Sequence, residues 1–310
     1  MSGHQHDHSH GVTAETDRRW LGVALGLICG FMAIEVVVGL LAGSIALISD
    51  AAHMLTDAFA IVLALVAMRL AARPATGGFT FGLKRAEILS AQANGLTLLL
   101  LAVWLGYESV TRLVHPEPVD GVLVLATGAA GVVVNAAAAW SLGRANRASL
   151  NVESAYQHVL NDLYAFAAAM LAGLVILLTG FVRADALASL VVVALMVKAG
   201  AGLVRDSGRI LLEAAPKGMD PPAVGADITA VPGVVEVHDL HIWLITSGQA
   251  ALSAHVLVSP GADCHAVRVA VERLLADGYG ITHTTLQVDH AAVGAGIAPH
   301  CVEAHGPVHR

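Results

Sequence analysis

Six stretches of this chain run for ~20 or more residues with few charged positions, long enough for a helix to cross a lipid bilayer. They span residues 20–41, 45–70, 88–113, 119–142, 152–180 and 184–204. The gaps after the first and fifth stretches are very short, which predicts two tight helical hairpins. After Pro216 the pattern changes. Apolar runs shorten and turn signals crowd in, among them Pro-Lys-Gly, Pro-Pro, Pro-Gly and Ser-Gly. Here the alternation predicts a helix at 222–229, strands at 234–244 and 250–258, a helix at 263–277 and a strand at 284–289.

The expected fold is therefore an α-helical membrane protein of six transmembrane helices with a small cytoplasmic α+β domain of ferredoxin-like type. Its parts are a His-rich leader (1–18), the six-helix domain (19–210), the cytoplasmic domain (211–290) and a flexible tail (291–310). Composition agrees: 56% of the 310 residues are hydrophobic, 13% are charged, and the mean hydropathy is +0.70. A soluble domain carries roughly 25% charged residues. The net charge of -7 excludes a broadly basic nucleic-acid binder. Cys29, Cys264 and Cys301 form no CxxC and fit a reducing compartment.

Basic residues set the expected orientation. With both termini in the cytoplasm, that side carries Arg18, Arg19, Arg69, Arg73, Lys84, Arg85, Arg144, Arg147, Arg205 and Arg209, whereas the other side has mainly Arg112 and Arg183. The short loops, and a polar start without a signal peptide, fit a multi-pass protein of a bacterial plasma membrane whose leader stays on the chain.

Ionisable residues inside apolar helices cost roughly 2.5–3.5 kcal/mol for Asp at mid-span, so each is a functional candidate. The second stretch carries His53 and Asp57, and the fifth carries His158 and Asp162. Residues four apart share a helix face. Two helices, each offering an imidazole and a carboxylate, can close a four-coordinate site of the kind Zn²⁺ accepts. The nitrogen ligands favour Zn²⁺, Co²⁺ or Cd²⁺ over Mg²⁺ and Ca²⁺. One such pair is equally compatible with a His–Asp hydrogen bond joining helices; two of identical spacing favour a metal. Glu35, Asp50, Asn94, Asn135 and Asn161 also lie within spans and are expected first as packing or supporting groups.

The motifs Ser49-Asp50-Ala51-Ala52-His53-Met54-Leu55-Thr56-Asp57 and Phe79-Thr80-Phe81-Gly82-Leu83-Lys84-Arg85-Ala86-Glu87 are specific. So are His158-Val159-Leu160-Asn161-Asp162, Leu211-Leu212-Glu213 and Val237-His238-Asp239-Leu240-His241-Ile242-Trp243. Through them the chain resembles the cation diffusion facilitator family, in its CzcD-like, zinc-exporting branch. The resemblance implies a homodimer that exchanges a divalent cation, zinc first, for protons by alternating access. It implies a transport site of His53, Asp57, His158 and Asp162, and a cytoplasmic metal site at His238, His255 and Asp289. It also implies an interlocking salt bridge between Arg85 and Glu213.

Gln287 stands where some members have His, so one cytoplasmic zinc is expected rather than two. The loop 73–79 lacks Asp and His, and Leu83 stands where His would support a loop site, so no metal is expected there. His4, His6, His8 and His10 alternate near the start, and His300, Cys301, His305 and His309 lie in the tail. Either group is compatible with weak metal capture or with a solvated segment. Other readings are a membrane-anchored metal sensor, an intramembrane metal hydrolase and a passive channel. A hydrolase would need an open coordination position and a motif such as His-Glu-x-x-His, which is absent.

Overall fold

The computed structural model describes residues 10–42, 45–116, 121–291 and 306–310, excepting the side chains of 10–15, 38, 39, 41, 42, 45–53 and 56. Six long helices come first: α1 (His10–Ala42), α2 (Ile45–Ala71), α3 (Ala86–Val114), α4 (Gly121–Leu142), α5 (Leu150–Thr179) and α6 (Arg183–Leu211). Five of them are long and apolar enough to span a membrane by their described residues alone. The remaining one, α2, has 27 residues, about 40 Å at 1.5 Å per residue. Among the described residues the fold is thus the expected six-helix membrane domain followed by a small α+β domain.

Two helices outrun the apolar pattern. α1 begins ten residues before Trp20, and α6 continues to Leu211, past Arg205, Asp206 and Arg209. Polar residues end an apolar run without breaking a helix; a tertiary bond holds the start of α1, and a bond within the helix lies near the end of α6. Asp17 accepts the backbone N–H of Asn146 at 2.7 Å, and the Ser207 hydroxyl donates back to the Leu203 carbonyl at 2.8 Å.

The chain divides into two compact units, residues 1–207 and 208–310. In the first unit, small residues let helices approach closely, as expected where lipid removes most of the hydrophobic drive. A Cβ on Gly128 of α4 would lie 2.7 Å from the Met170 backbone nitrogen of α5. α3 and α6 meet in the same way at Gly95 and Gly200. A buried cluster of Leu21, Ile28, Met54, Ile61, Leu142 and Val159 joins α1, α2, α4 and α5. At one end of the bundle, Arg18 donates to the Met68 carbonyl, bringing the start of α1 to the end of α2. At the other end, the Arg183 Nε donates to the Leu113 carbonyl at 3.0 Å, joining α6 to α3.

The second unit holds α7 (Pro221–Thr229), β1 (Val234–Thr246), β2 (Gln249–Val258), α8 (Cys264–Tyr279) and β3 (His283–His290). The sheet order is β1-β2-β3. β1 and β2 are antiparallel, and β2 and β3 are parallel across α8. This is one strand fewer than a full ferredoxin-like arrangement. Val224, Ile228, Val237, Val256, Val271 and Leu275 fill its core. Asp263 caps α8 by accepting from the N–H groups of His265 and Ala266, and Gly280 ends the helix at φ 66°. Within the segment expected as tail, residues 306–310 meet this unit: Val237 and His309 exchange backbone hydrogen bonds, each 2.9 Å, on the open edge of β1.

Candidate metal centre

Along α5, Asn151, Ser154, His158 and Asp162 recur at intervals of three and four, so they form one polar stripe on an otherwise apolar helix. The stripe faces α2 and α3. Asn151 donates to the Ala64 carbonyl of α2 at 2.9 Å, and Asn94 of α3 donates to the Ser154 hydroxyl at 2.8 Å. Further along, His158 Nε2 lies 2.8 Å from Asp57 Oδ1 of α2.

Among the described residues, Asp57, His158 and Asp162 are the one set of three or more His, Cys, Asp or Glu groups whose ligand atoms all lie within 4.8 Å of one another. His158 is 2% exposed and Asp57 8%. The three groups come from the two helices expected, and from three of the four residues expected. The fourth, His53, lies on α2, and its side chain falls outside the described residues.

The chemistry of the set favours a cation. Two carboxylates in a low-dielectric bundle are costly unless a positive charge joins them. The His158 Nδ1 is buried and has no hydrogen-bond partner among the described residues. A buried polar atom left so costs roughly 1–3 kcal/mol. Ligands at ~2.0–2.1 Å around a tetrahedral ion stand about 3.3 Å apart, so a cluster within 4.8 Å needs only a small contraction to hold one.

Beside the cluster lies a cavity of about 250 Å³, lined by Met54, Asp57, Trp104, Asn161, Asp162 and Met196 among others. Every lining residue belongs to the part of its helix nearer the Leu113–Arg183 end, or to the middle of α5. Towards the opposite end the bundle is packed shut by Ile88, Ala91, Leu98, Val152 and Ala155, all at most 1% exposed. The Asn94–Ser154 and Asn151–Ala64 hydrogen bonds cross that packed zone. Asn94 and Asn161 are recognisable from the sequence as polar groups in spans. Asn151 and Ser154 escape a search for acids and histidines; the stripe spacing on α5 is the signal that reveals them.

The remaining candidates lie elsewhere. Arg85 sits at the N-cap of α3, in the first unit, and Glu213 follows α6 at φ 58°, in the second. His238 of β1 pairs directly with His255 of β2, and their rings stand edge to face with centroids 5.3 Å apart. Asp289 pairs with Leu257, one row along the sheet from these histidines, and accepts from Gln287 at 2.9 Å. Glu236 also pairs with Leu257, in the same row as Asp289, and was not among the expected ligands. Its Oε1 is 3.3 Å from His238 Nδ1. The first histidines (His4, His6, His8) and His300, Cys301 and His305 fall outside the described residues, as does the side chain of His10.

Comparison with known proteins follows the same division. A family described as cation efflux transmembrane domain matches residues 21–212, and one described as cation efflux protein, cytoplasmic domain, matches 216–291. A Bacillus velezensis protein named cadmium, cobalt and zinc/H(+)-K(+) antiporter is 37% identical over 295 residues, covering 94% of this chain and 93% of its own. The metal cation efflux system protein CzcD of Cupriavidus metallidurans is 37% identical over 294 residues, covering 94% and 90%. Zinc transporter ZitB of Escherichia coli is 35% identical over 289 residues, covering 93% and 92%. The solved metal-bound C-terminal domain of CzcD is 39% identical, covers 23% of this chain and 97% of its own, and superposes with a TM-score of 0.22.

Proposed function

The chain belongs to the cation efflux family, and we propose that it exports zinc from the cytoplasm in exchange for protons, through a site formed by His53, Asp57, His158 and Asp162. As a member of that family it is a multi-pass membrane transporter of divalent metal cations, not an enzyme. Zinc is its proposed principal cargo, with Cd²⁺ and Co²⁺ as chemically similar alternatives. The observation that carries the reading is the buried Asp57–His158–Asp162 cluster, with the His158 Nδ1 left without a hydrogen-bond partner among the described residues.

The mechanism follows from what this site can do. Metal ligands must be deprotonated, so a cation arriving at the cluster displaces protons. After release, protons take its place on the imidazole and the carboxylates, which would otherwise leave two negative charges close together in the bundle.

The ends of the bundle support a direction. Arg69, Arg73, Lys84, Arg85, Arg144 and Arg147 cluster where α2 meets α3 and α4 meets α5, and by the positive-inside rule that end is cytoplasmic. The cavity lies on the other side of the site, so this conformation faces outward. Asn94, Ser154 and Asn151 then act as a polar seal against the cytoplasm. Loading requires that seal to part, and rocking of helices about a fixed mid-membrane site supplies the alternation.

The chain works as a homodimer in a bacterial plasma membrane with both termini in the cytoplasm. The second unit, with His238 and His255 side by side, serves as a cytoplasmic zinc sensor that biases the inward–outward equilibrium by binding one state more tightly.

The direct test is zinc uptake into proteoliposomes holding the purified protein. Asp57→Ala or Asp162→Ala should abolish flux while a folded protein is recovered; undiminished flux in both variants contradicts the assignment. A sensor without transport is the outcome if the wild-type chain moves no zinc yet still binds it in its second unit.

A further inference from the structure

Where α1 begins and α4 ends, two arginines and two tryptophans gather on the outside of the bundle. Trp20 of α1 and Trp140 of α4 meet edge to face, with ring centroids 6.1 Å apart. Two hydrogen bonds fix the segments that carry them. The Ser141 hydroxyl donates to the Trp20 carbonyl at 3.1 Å, and Asp17 accepts the Asn146 N–H at 2.7 Å. The Arg144 guanidinium lies 4.6 Å from the centroid of Trp140 and 6.0 Å from that of Trp20. The Arg19 guanidinium lies 5.8 Å from the centroid of Trp20. These distances are in the range over which an aromatic face attracts a cation. Arg19, Arg144 and Trp140 are all exposed.

An aromatic ring takes up the face of a guanidinium and leaves its in-plane N–H donors for another partner. Among the described residues, no carboxylate lies within ion-pair distance of Arg19 or Arg144. Their neighbours differ. Arg147 is engaged by both carboxylate oxygens of Glu153, at 2.8 and 3.1 Å, and Arg18 donates inward to the Met68 carbonyl. Arg19 and Arg144 therefore turn two uncompensated charges outward from one rigid seam.

The level of the seam says what meets them. Trp20 opens the first apolar stretch and Trp140 nearly closes the fourth, so the cluster stands where hydrocarbon gives way to headgroups. Below it, Val23 and Leu27 follow Trp20 on one face of α1, 42% and 37% exposed. A ligand that fits has an anionic head with oxygens for two guanidiniums and an apolar body for this face. An anionic phospholipid has both. A zwitterionic lipid brings its own cation beside the phosphate, and free phosphate has no apolar body.

We propose that Arg19 and Arg144, between them flanking Trp20 and Trp140, bind the phosphodiester of one anionic phospholipid at the seam of α1 and α4. The proposal rests on the membrane reading of the bundle. Basic residues at a membrane surface attract anionic lipid by the equivalent of about fivefold in affinity per arginine. A lipid held there spans two segments already tied by Asp17 and Ser141, and by binding only the folded bundle it stabilises it.

The test titrates the full chain in detergent with phosphatidylglycerol carrying brominated acyl chains and reads the quenching of tryptophan fluorescence. Brominated phosphatidylcholine is the reference. The wild-type chain should prefer phosphatidylglycerol by more than about tenfold, and Arg19→Gln or Arg144→Gln should each cut that preference about fivefold. The double variant should abolish it. Arg147→Gln combined with Glu153→Gln should keep it, because that pair is already neutralised. Raising the salt concentration should weaken phosphatidylglycerol and leave phosphatidylcholine unchanged. Equal quenching by the two lipids in the wild type overturns the proposal, as does an unchanged preference in the double variant. An equal loss in the Arg147→Gln, Glu153→Gln variant overturns the assignment to Arg19 and Arg144. Displacement of the lipid by inorganic phosphate would mark a free-phosphate site and overturns the choice of a lipid. Zinc flux does not enter the readout, so the transport reading stands or falls separately.

Discussion

At the residue scale, the account turns on buried groups that can serve as metal ligands. His158 is nearly inaccessible, touches Asp57 with one nitrogen and leaves the other without a hydrogen bond among the described residues. An imidazole kept merely to join helices would be replaceable by Gln, which can still donate to Asp57. A metal ligand is not so replaceable. His158→Gln should therefore retain the folded protein, as judged by gel filtration and thermal unfolding, yet lose zinc binding at the bundle by at least tenfold; retained binding would reduce His158 to a packing residue.

The Asn94–Ser154 bond makes a smaller claim. Side-chain hydrogen bonds between membrane helices average ~0.6 kcal/mol, which is about a threefold change in an equilibrium. Asn94→Ala should shift the balance between the two access states about threefold towards the inward one. Labelling of a cysteine placed at Ser189, in the cavity wall, together with one placed near Ala91 in the packed zone, reads both populations. An unchanged ratio would show that the bond is no part of the seal.

At the element scale, much of the fold was legible before any coordinates. The strands expected at 234–244, 250–258 and 284–289 correspond to β1, β2 and β3, because alternation and turn residues mark both strand faces and strand ends. Helix ends were less legible. Apolar runs report the hydrocarbon layer rather than the helix, so α1 and α6 extend beyond them, the start of α1 held by the bond of Asp17 to Asn146. The close pairing of α4 with α5 was also not foreseen. It depends on which glycines face which backbone, and spacing alone does not reveal that.

Two of those glycines make a graded prediction. At Gly128 an added Cβ meets the Met170 backbone, which cannot move without the helix, whereas at Gly131 it meets the Phe166 ring, which can swing aside. Gly128→Ala should lower stability in detergent by about 1–3 kcal/mol, the usual range for overpacking, and Gly131→Ala by less. Equal effects in thermal unfolding would mean that the ring at 166 is as confined as the backbone at 170.

At the scale of the whole molecule, the site was partly legible and partly hidden. His158 and Asp162 announce themselves as ionisable groups one turn apart in an apolar segment, and Asp57 joins them from α2 as the matched spacing implies. What the sequence does not carry is which side of the site holds a cavity and which is packed. That emerges only from the packed zone around Ile88 and Val152 on one side and the cavity by Trp104 and Met196 on the other. In the second unit, likewise, the histidines of neighbouring strands could be paired by register. Glu236 and Arg310 come together only because the chain returns to the edge of β1.

The proposed exchange also fixes a pH dependence. Protons and zinc compete for the same lone pairs, so acidifying the release side should speed zinc release, and acidifying the loading side should slow uptake. The decisive measurement records zinc and proton movement together in one population of proteoliposomes, for the wild-type chain and for Asp162→Ala. The account predicts opposite, stoichiometrically linked fluxes in the wild type and neither flux in the variant. Zinc moving at an undiminished rate in Asp162→Ala, or moving in the wild type with no accompanying proton, would contradict it.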